Sequence, residues 1–239
     1  MLSKSQIKLI TSLKQKKYRQ QYGFFVVEGV KTIRELLQSD LELHKLYATA
    51  SFNIDAKDEV IISDSDLKRI SFLTTPNKAL AIFKIPESKP IDNSGLIVAL
   101  DSIRDPGNLG TIIRLCDWFG VKELICSKET VDCFNPKVIQ ATMGSITRVN
   151  VSYMNLVPFL RGIETSVFGA FMEGENVYHK TLPKTGVLVM GNEANGVSKE
   201  VEAVITEKMS IPRFGDLQAT ESLNVATATA ILLSEFSRN

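Results

Sequence analysis

Lysines and apolar residues alternate through the first twenty positions, and within that run Ile7, Ile10 and Leu13 recur at helical spacing. The spacing predicts a helix over 3–22, with Ser3 placed to cap it. A short strand is expected at 24–27, followed after Gly29 by an amphipathic helix that carries Val30, Ile33, Leu36 and Leu37. β-rich runs at 45–48 and 60–62 come next, then a short helix capped by Asp64 or Ser65, then a strand at 79–84. Residues 86–95 concentrate proline, glycine and small polar residues and read as a linker. They divide the chain into a smaller N-terminal domain, 1–90, and a larger one, 91–239.

Past the linker the pattern changes to strands alternating with helices. Strands are expected at 96–100, 123–126, 149–151, 167–171, 187–190 and 209–211. Helical segments fall near 109–119, 136–143, 156–164 and 198–204, with a last helix from about 222 to 236. Such alternation predicts an α/β fold in which helices cover both faces of a parallel sheet. Chemistry in such sheets gathers in the loops at the carboxyl ends of the strands.

Composition narrows the class. Hydrophobic residues make up 44% and charged residues 23% of 239, so a core can form without disulfides or metals. Three cysteines with no C-x-x-C pair, and two histidines far apart, argue against a metal site. No apolar run approaches the ~20 residues of a membrane helix, and the N-terminus has no signal-peptide core. The expected compartment is the cytoplasm.

The net charge of +1 hides an asymmetry. Residues 1–90 carry 15 Lys+Arg against 10 Asp+Glu, and six of those cations precede the first acid, Glu28. Lys14, Lys16, Lys17 and Arg19 are therefore candidates for phosphate contacts with a nucleic acid, although a solvated helix face accounts for the charge equally well.

Three loops that follow strands carry the candidate chemistry. In the first, 101–114, the chain turns through Pro106-Gly107 into a helix that Asn108 suits as cap. Arg114 then falls among apolar residues, where it must snorkel, pair or meet a ligand. The loop lacks the G-x-G-x-x-G of a dinucleotide fold, which disfavours a nicotinamide-dependent oxidoreductase. The second loop, Gly191-Asn192-Glu193-Ala194-Asn195-Gly196, exposes backbone groups able to hydrogen-bond an adenine edge or a ribose. The third runs from Ile211-Pro212 to Ser222-Leu223-Asn224. There Thr220 or Ser222 is expected to cap the last helix, with Glu221 near its positive end.

Taken together and in this order, the three loops resemble the signature motifs of the SpoU family (TrmH-like) of RNA ribose 2′-O-methyltransferases. The matching residues are Asn108-Leu109-Gly110 through Arg114, then 191–196, then Ile211-Pro212 with Ser222-Leu223-Asn224-Val225-Ala226. The likeness covers 96–236, and the basic helix running into Gly23 through Gly29 is similar to the substrate-binding domain of many members. Between Pro212 and Ser222 the loop is a few residues longer than the family pattern, which bears on the cofactor contacts.

The resemblance implies transfer of a methyl group from S-adenosylmethionine to a ribose 2′-hydroxyl of ribosomal or transfer RNA, ribosomal favoured. It further implies a trefoil-knotted C-terminal domain, an N-terminal α/β/α sandwich, and a homodimer in which Arg114 of one subunit approaches the cofactor of the other. Gly191, Ile211, Ser222 and Leu223 would hold the cofactor, while Asn108, Arg114, Glu193 and Asn224 would serve catalysis. Arg114 is read as a phosphate clamp first and a base second. A non-catalytic RNA-binding or ribosome-assembly factor on the same scaffold is the alternative, disfavoured by retention of all these residues.

Overall fold

The computed structural model describes residues 2–215 and 222–238, which divide into two compact units. The first comprises residues 1–88 together with 132–147; the second comprises 89–131 and 148–239. One crossing falls beside the linker read from the sequence. The other two, around 132–147, have no compositional signal.

The first unit is built on a four-stranded sheet in the order β1-β4-β2-β3. Its strands are β1 (Phe24–Glu28), β2 (Leu43–Ala48), β3 (Glu59–Ile61) and β4 (Ala79–Lys84). Alternation along β1 sends Val26 to one face, where it joins Leu80, Ile82 and Tyr47 under Ile10, Leu67 and Ile70. Those last three belong to α1 (Lys4–Ser12) and α4 (Asp64–Ile70). Phe25, the preceding residue of β1, meets Phe83 and Phe134, with ring centroids 6.0 and 4.8 Å apart. Helices α3 (Val30–Leu37) and α6 (Pro136–Thr142) also pack on β1.

The helix expected over 3–22 is in fact two. Ser3 caps the first through a capping box with Gln6, as its position suggested. The helix then stops at Ser12, and α2 (Lys16–Tyr22) begins after a short turn. Arg19 explains the break: its guanidinium donates to the carbonyls of Leu13 and Lys14, both at 2.9 Å, and to the Asp132 carboxylate. Those carbonyls take a side-chain donor in place of helical N–H groups. The cap of α4 is Ser63, whose hydroxyl accepts from the Asp66 N–H, rather than Asp64 or Ser65.

The second unit is a six-stranded sheet in the order β10-β8-β9-β5-β6-β7, every neighbouring pair parallel. The strands are β5 (Leu96–Leu100), β6 (Glu123–Cys126), β7 (Asn150–Tyr153), β8 (Val167–Asn176), β9 (Gly186–Met190) and β10 (Glu207–Ser210). This is the parallel α/β architecture that the alternation predicts. Ile97, Ala99, Val187 and Val189 face α7 (Leu156–Arg161) and α8 (Lys199–Glu202) through Leu156, Leu160 and Val201. Helices α5 (Pro106–Trp118) and α9 (Val225–Ser237) pack on each other, and Phe236 of α9 meets Phe168 of β8 edge-on at 5.2 Å.

Strand β8 is longer than expected, and its pairing with β10 shifts register between Lys208 and Met209. Residues 170–174 are thereby left out of the ladder, and 170–173 line a cleft.

Candidate active site

Strand β5 sits between β9 and β6, so the chain leaves its carboxyl end where the connections diverge, the usual position of a binding crevice. The first two loops are fastened together there. The Asp101 N–H donates to the Met190 carbonyl at 2.9 Å, and the Asp101 carboxylate accepts from both the N–H and the hydroxyl of Ser198. The Asn192 carboxamide donates to the Ser102 carbonyl at 2.7 Å, and Ser102 holds a left-handed backbone with φ 61°. A non-glycine residue in that region costs about 1 kcal/mol or more, and here Asn192, Ser127 and Asp101 hold it in place.

The second loop is a tight turn. Asn192 and Gly196 exchange backbone hydrogen bonds of 2.9 and 2.8 Å, and the Asn192 side-chain oxygen accepts from the N–H groups of Ala194 and Asn195. A Cβ at Gly191 would lie 2.3 Å from the Gly196 carbonyl carbon and the Val197 nitrogen, so only glycine permits this closure.

Two helix caps differ from the sequence reading. Asp105 caps α5, its carboxylate accepting from the Asn108 N–H at 2.8 Å, with Pro106 in the first turn. Asn108 is therefore the third residue of the helix, and its side chain is released for other work. At the third loop the cap of α9 is Asn224, whose Oδ1 accepts from the N–H groups of Ala226 and Thr227 at 2.9 and 3.3 Å. Ser222 lies two residues before it, and Thr220 and Glu221 lie outside the described residues.

Three of the four proposed catalytic residues then meet. Because Asn224 Oδ1 is committed to the helix N-terminus, its Nδ2 points outward and donates to Asn108 Oδ1 at 2.9 Å. Asn108 Nδ2 in turn donates to Glu193 Oε1 at 2.7 Å. The cap fixes the direction of the whole chain, which settles both amide orientations and makes Glu193 Oε1 its terminal acceptor. The fourth residue, Arg114, is exposed on α5, further along the helix from Asn108.

Beside Glu193 opens a cleft of about 1160 Å³. All four proposed cofactor residues, Gly191, Ile211, Ser222 and Leu223, line it; Arg114 does not. Its apolar wall comes from Met209, Val225, Ala228 and Leu232, and Glu173 and Glu202 stand on its polar side. That donor set suits S-adenosylmethionine: apolar surface and a small alanine for a purine ring, carboxylates for a ligand carrying a sulfonium and an ammonium. Lys208 on the same wall is occupied by Glu202 and stands 4.8 Å from the centre of the Phe171 ring.

The basic candidates divide. Lys14, Lys16 and Lys17 are exposed, as a phosphate contact requires. Arg19 is 1% exposed, with its guanidinium shared between Asp132 and two carbonyls, and so is a structural residue rather than a phosphate ligand. Sequence reasoning passed over Asp101, Asn192 and Ser198, which join the first two loops. An acid at the end of a fully apolar strand was the available signal.

Comparison with known proteins agrees with this geometry. The model of the SpoU rRNA Methylase family matches residues 95–234, and that of the MRM3-like substrate binding domain matches 4–81. A curated relative, the 23S rRNA (guanosine(2553)-2'-O)-methyltransferase RlmP of Bacillus subtilis, is 28% identical over 91% of this chain and 90% of its own length. Matches to two further curated relatives span 58% and 46% of those proteins. Among solved structures, a Porphyromonas gingivalis protein assigned to the TrmH family of RNA methyltransferases is 41% identical. It covers 100% of this chain and 99% of its own, with a TM-score of 0.90. An AdoMet-bound rRNA methyltransferase from Sinorhizobium meliloti is 30% identical over 100% of this chain and 96% of its own, at 0.89. Since the matched family model spans more than half the residues and all three loops, this chain belongs to the SpoU family of rRNA methylases.

Proposed function

We propose that this chain transfers a methyl group from S-adenosylmethionine to a ribose 2′-hydroxyl of RNA, with ribosomal RNA favoured over transfer RNA. The observation that carries the reading is the hydrogen-bonded chain from Asn224 through Asn108 to Glu193, which ties three loops together beside the cleft. Bound there, S-adenosylmethionine supplies an electrophilic methyl on a sulfonium. The protein's part is to hold the acceptor oxygen in line with that methyl and to manage its proton. Gly191, Ile211, Ser222 and Leu223 hold the cofactor, and the Asn224–Asn108 pair fixes where the Glu193 carboxylate stands.

Arg114 acts from a second copy of the chain in a homodimer. Its exposure on α5 supports this, as does Trp118 one turn further on, which is 82% exposed, since exposed aromatics on a helix are characteristic of interfaces. As a base it would have to give up a proton that a guanidinium holds very tightly at neutral pH. As a cation it grips the adjacent phosphate and favours the developing alkoxide without that cost. Asn108, Glu193 and Asn224 complete the catalytic set.

Three finer features belong to the same reading. The C-terminal segment forms a trefoil knot; the first unit is an α/β/α sandwich that binds RNA through Lys14, Lys16 and Lys17; and the protein works in the cytoplasm. Helices packed on the first sheet support the second, and similarity to a Bacillus subtilis rRNA methyltransferase supports the third. Among the described residues no helix is long and apolar enough to cross a membrane.

The test is incubation with labelled S-adenosylmethionine and total ribosomal RNA, followed by alkaline hydrolysis. Label in alkali-resistant dinucleotides is the expected result, because a 2′-O-methyl group blocks cleavage. Label confined to bases, or none, overturns the proposal.

A further inference from the structure

Helix α2 carries more than charge. Tyr18 and Tyr22, one turn apart, stack with ring centroids 6.2 Å apart and planes 15° from parallel. Tyr22 remains 43% exposed in spite of that stack, and Gly23 ends the helix immediately after it. The Lys17 ammonium lies 5.7 Å from the centre of the Tyr18 ring. Around the pair stand Lys14, Lys16, Lys17, Gln20 and Gln21, all exposed, and no acidic residue precedes Glu28. The one other cation of the helix, Arg19, is turned inward and neutralised by Asp132. The outer surface of α2 thus combines unopposed positive charge, amide side chains and an aromatic face.

We propose that Tyr22, backed by Tyr18, is a stacking platform for an unpaired base, so that the first unit binds single-stranded RNA. An exposed ring already braced on one side presents its other side at little entropic cost. Every base has a π-face to lay on it, and the neighbouring lysines meet the phosphates on either side. A duplex offers those lysines its phosphates but keeps its bases stacked inside, so it uses the charge and leaves the ring idle. Gln20 and Gln21 carry both donors and acceptors for the edge of the stacked base. The inference rests on RNA being the substrate, and goes beyond that reading by naming the RNA's form and the residues that select it.

The test is fluorescence anisotropy of the full-length protein with a labelled twelve-nucleotide single strand, and with the same strand annealed to its complement, across a salt series. Tyr22→Ala and Tyr22→Leu are expected to weaken single-strand binding about tenfold, to leave duplex binding unchanged, and to keep the salt slope. Tyr22→Phe is expected to bind as the parent does, and far-ultraviolet circular dichroism checks that the variants fold. Unchanged single-strand affinity in both Tyr22→Ala and Tyr22→Leu overturns the platform, as does an equal loss on the duplex. A methyl-transfer assay on the parent protein separates this from the activity: failure of the parent to transfer, alongside selective loss of single-strand binding in the Tyr22 variants, sinks the enzymatic reading and leaves the platform standing.

Discussion

Asn224→Asp isolates the direction of the hydrogen-bond chain from the stability of the helix that sets it. A carboxylate at position 224 still accepts from Ala226 and Thr227, and Asp ranks with Asn as a cap and suits the positive end of α9. Thermal stability should therefore hold to within ~0.5 kcal/mol. What disappears is the only donor that position offered to Asn108 Oδ1. Asn108 can turn its amide over to donate toward 224, but its oxygen then faces the Glu193 carboxylate, so one of the two links is always lost. A hydrogen bond to a charged group is worth about 1.5–3 kcal/mol net, and the exposure of Glu193 and Asn224 places this one at the lower end. About 1.5 kcal/mol corresponds to roughly a tenfold slower single-turnover methyl transfer at saturating RNA.

The compensating change is Glu193→Gln. By itself it keeps the original direction, since an amide oxygen at 193 still accepts from Asn108. Combined with Asn224→Asp it permits the whole chain to run backwards, from the amide at 193 through Asn108 to the carboxylate at 224. The double variant should be faster than the product of the two single effects requires, by about tenfold. Strictly multiplicative effects would show that the two positions do not act through Asn108, and the directional argument would be lost.

Other consequences can be measured separately. Arg19→Ala removes the partner of a mostly buried carboxylate and the donor for two carbonyls, so urea unfolding should show a loss of about 3 kcal/mol; a loss under ~1 kcal/mol would make the ion pair incidental. Gly191→Ala cannot keep the turn closed, and calorimetry should find S-adenosylmethionine binding weakened by about tenfold, equivalent to ~1.4 kcal/mol. Burial raises the Glu28 carboxyl above its usual range, despite bonds donated by Ser71 and Phe72. Its contribution is complete below the unfolded value of about 4.5 and is lost as pH rises through the elevated folded value. Glu28→Gln should thus gain stability relative to the parent as pH rises across that interval, and parallel melting curves from pH 4 to 8 would contradict the assignment. Arg114→Lys keeps the charge but not the bidentate fork, so a nearly unchanged single-turnover rate would refute the clamp.

The parallel sheet was legible because strands buried on both faces read as unbroken apolar runs, such as Val187 to Met190, between amphipathic helices. The cleft was legible for a related reason: glycine and proline mark where those strands end, and Gly191 and Pro212 both line it. The connections between loops were not. Asn108 looked like a cap because the local sequence offers two acceptors, Asp105 and Asn108, and local sequence does not rank them. Its true partners, Glu193 and Asn224, stand 85 and 116 residues away. Arg19 failed for the same cause. A cation in a basic run reads as solvated until the carboxylate 113 residues downstream is seen beneath it.

The participation of residues 132–147 in the first unit bears on how the chain is made. Synthesis delivers β1 and its neighbours early, yet the Phe25 side of that sheet waits for Phe134 and α6, and Arg19 waits for Asp132. The nascent N-terminal sheet therefore emerges with an aromatic face uncovered and a buried-to-be cation without its counter-charge. Its final closure is postponed until β5, α5 and β6 of the other unit have also left the exit tunnel.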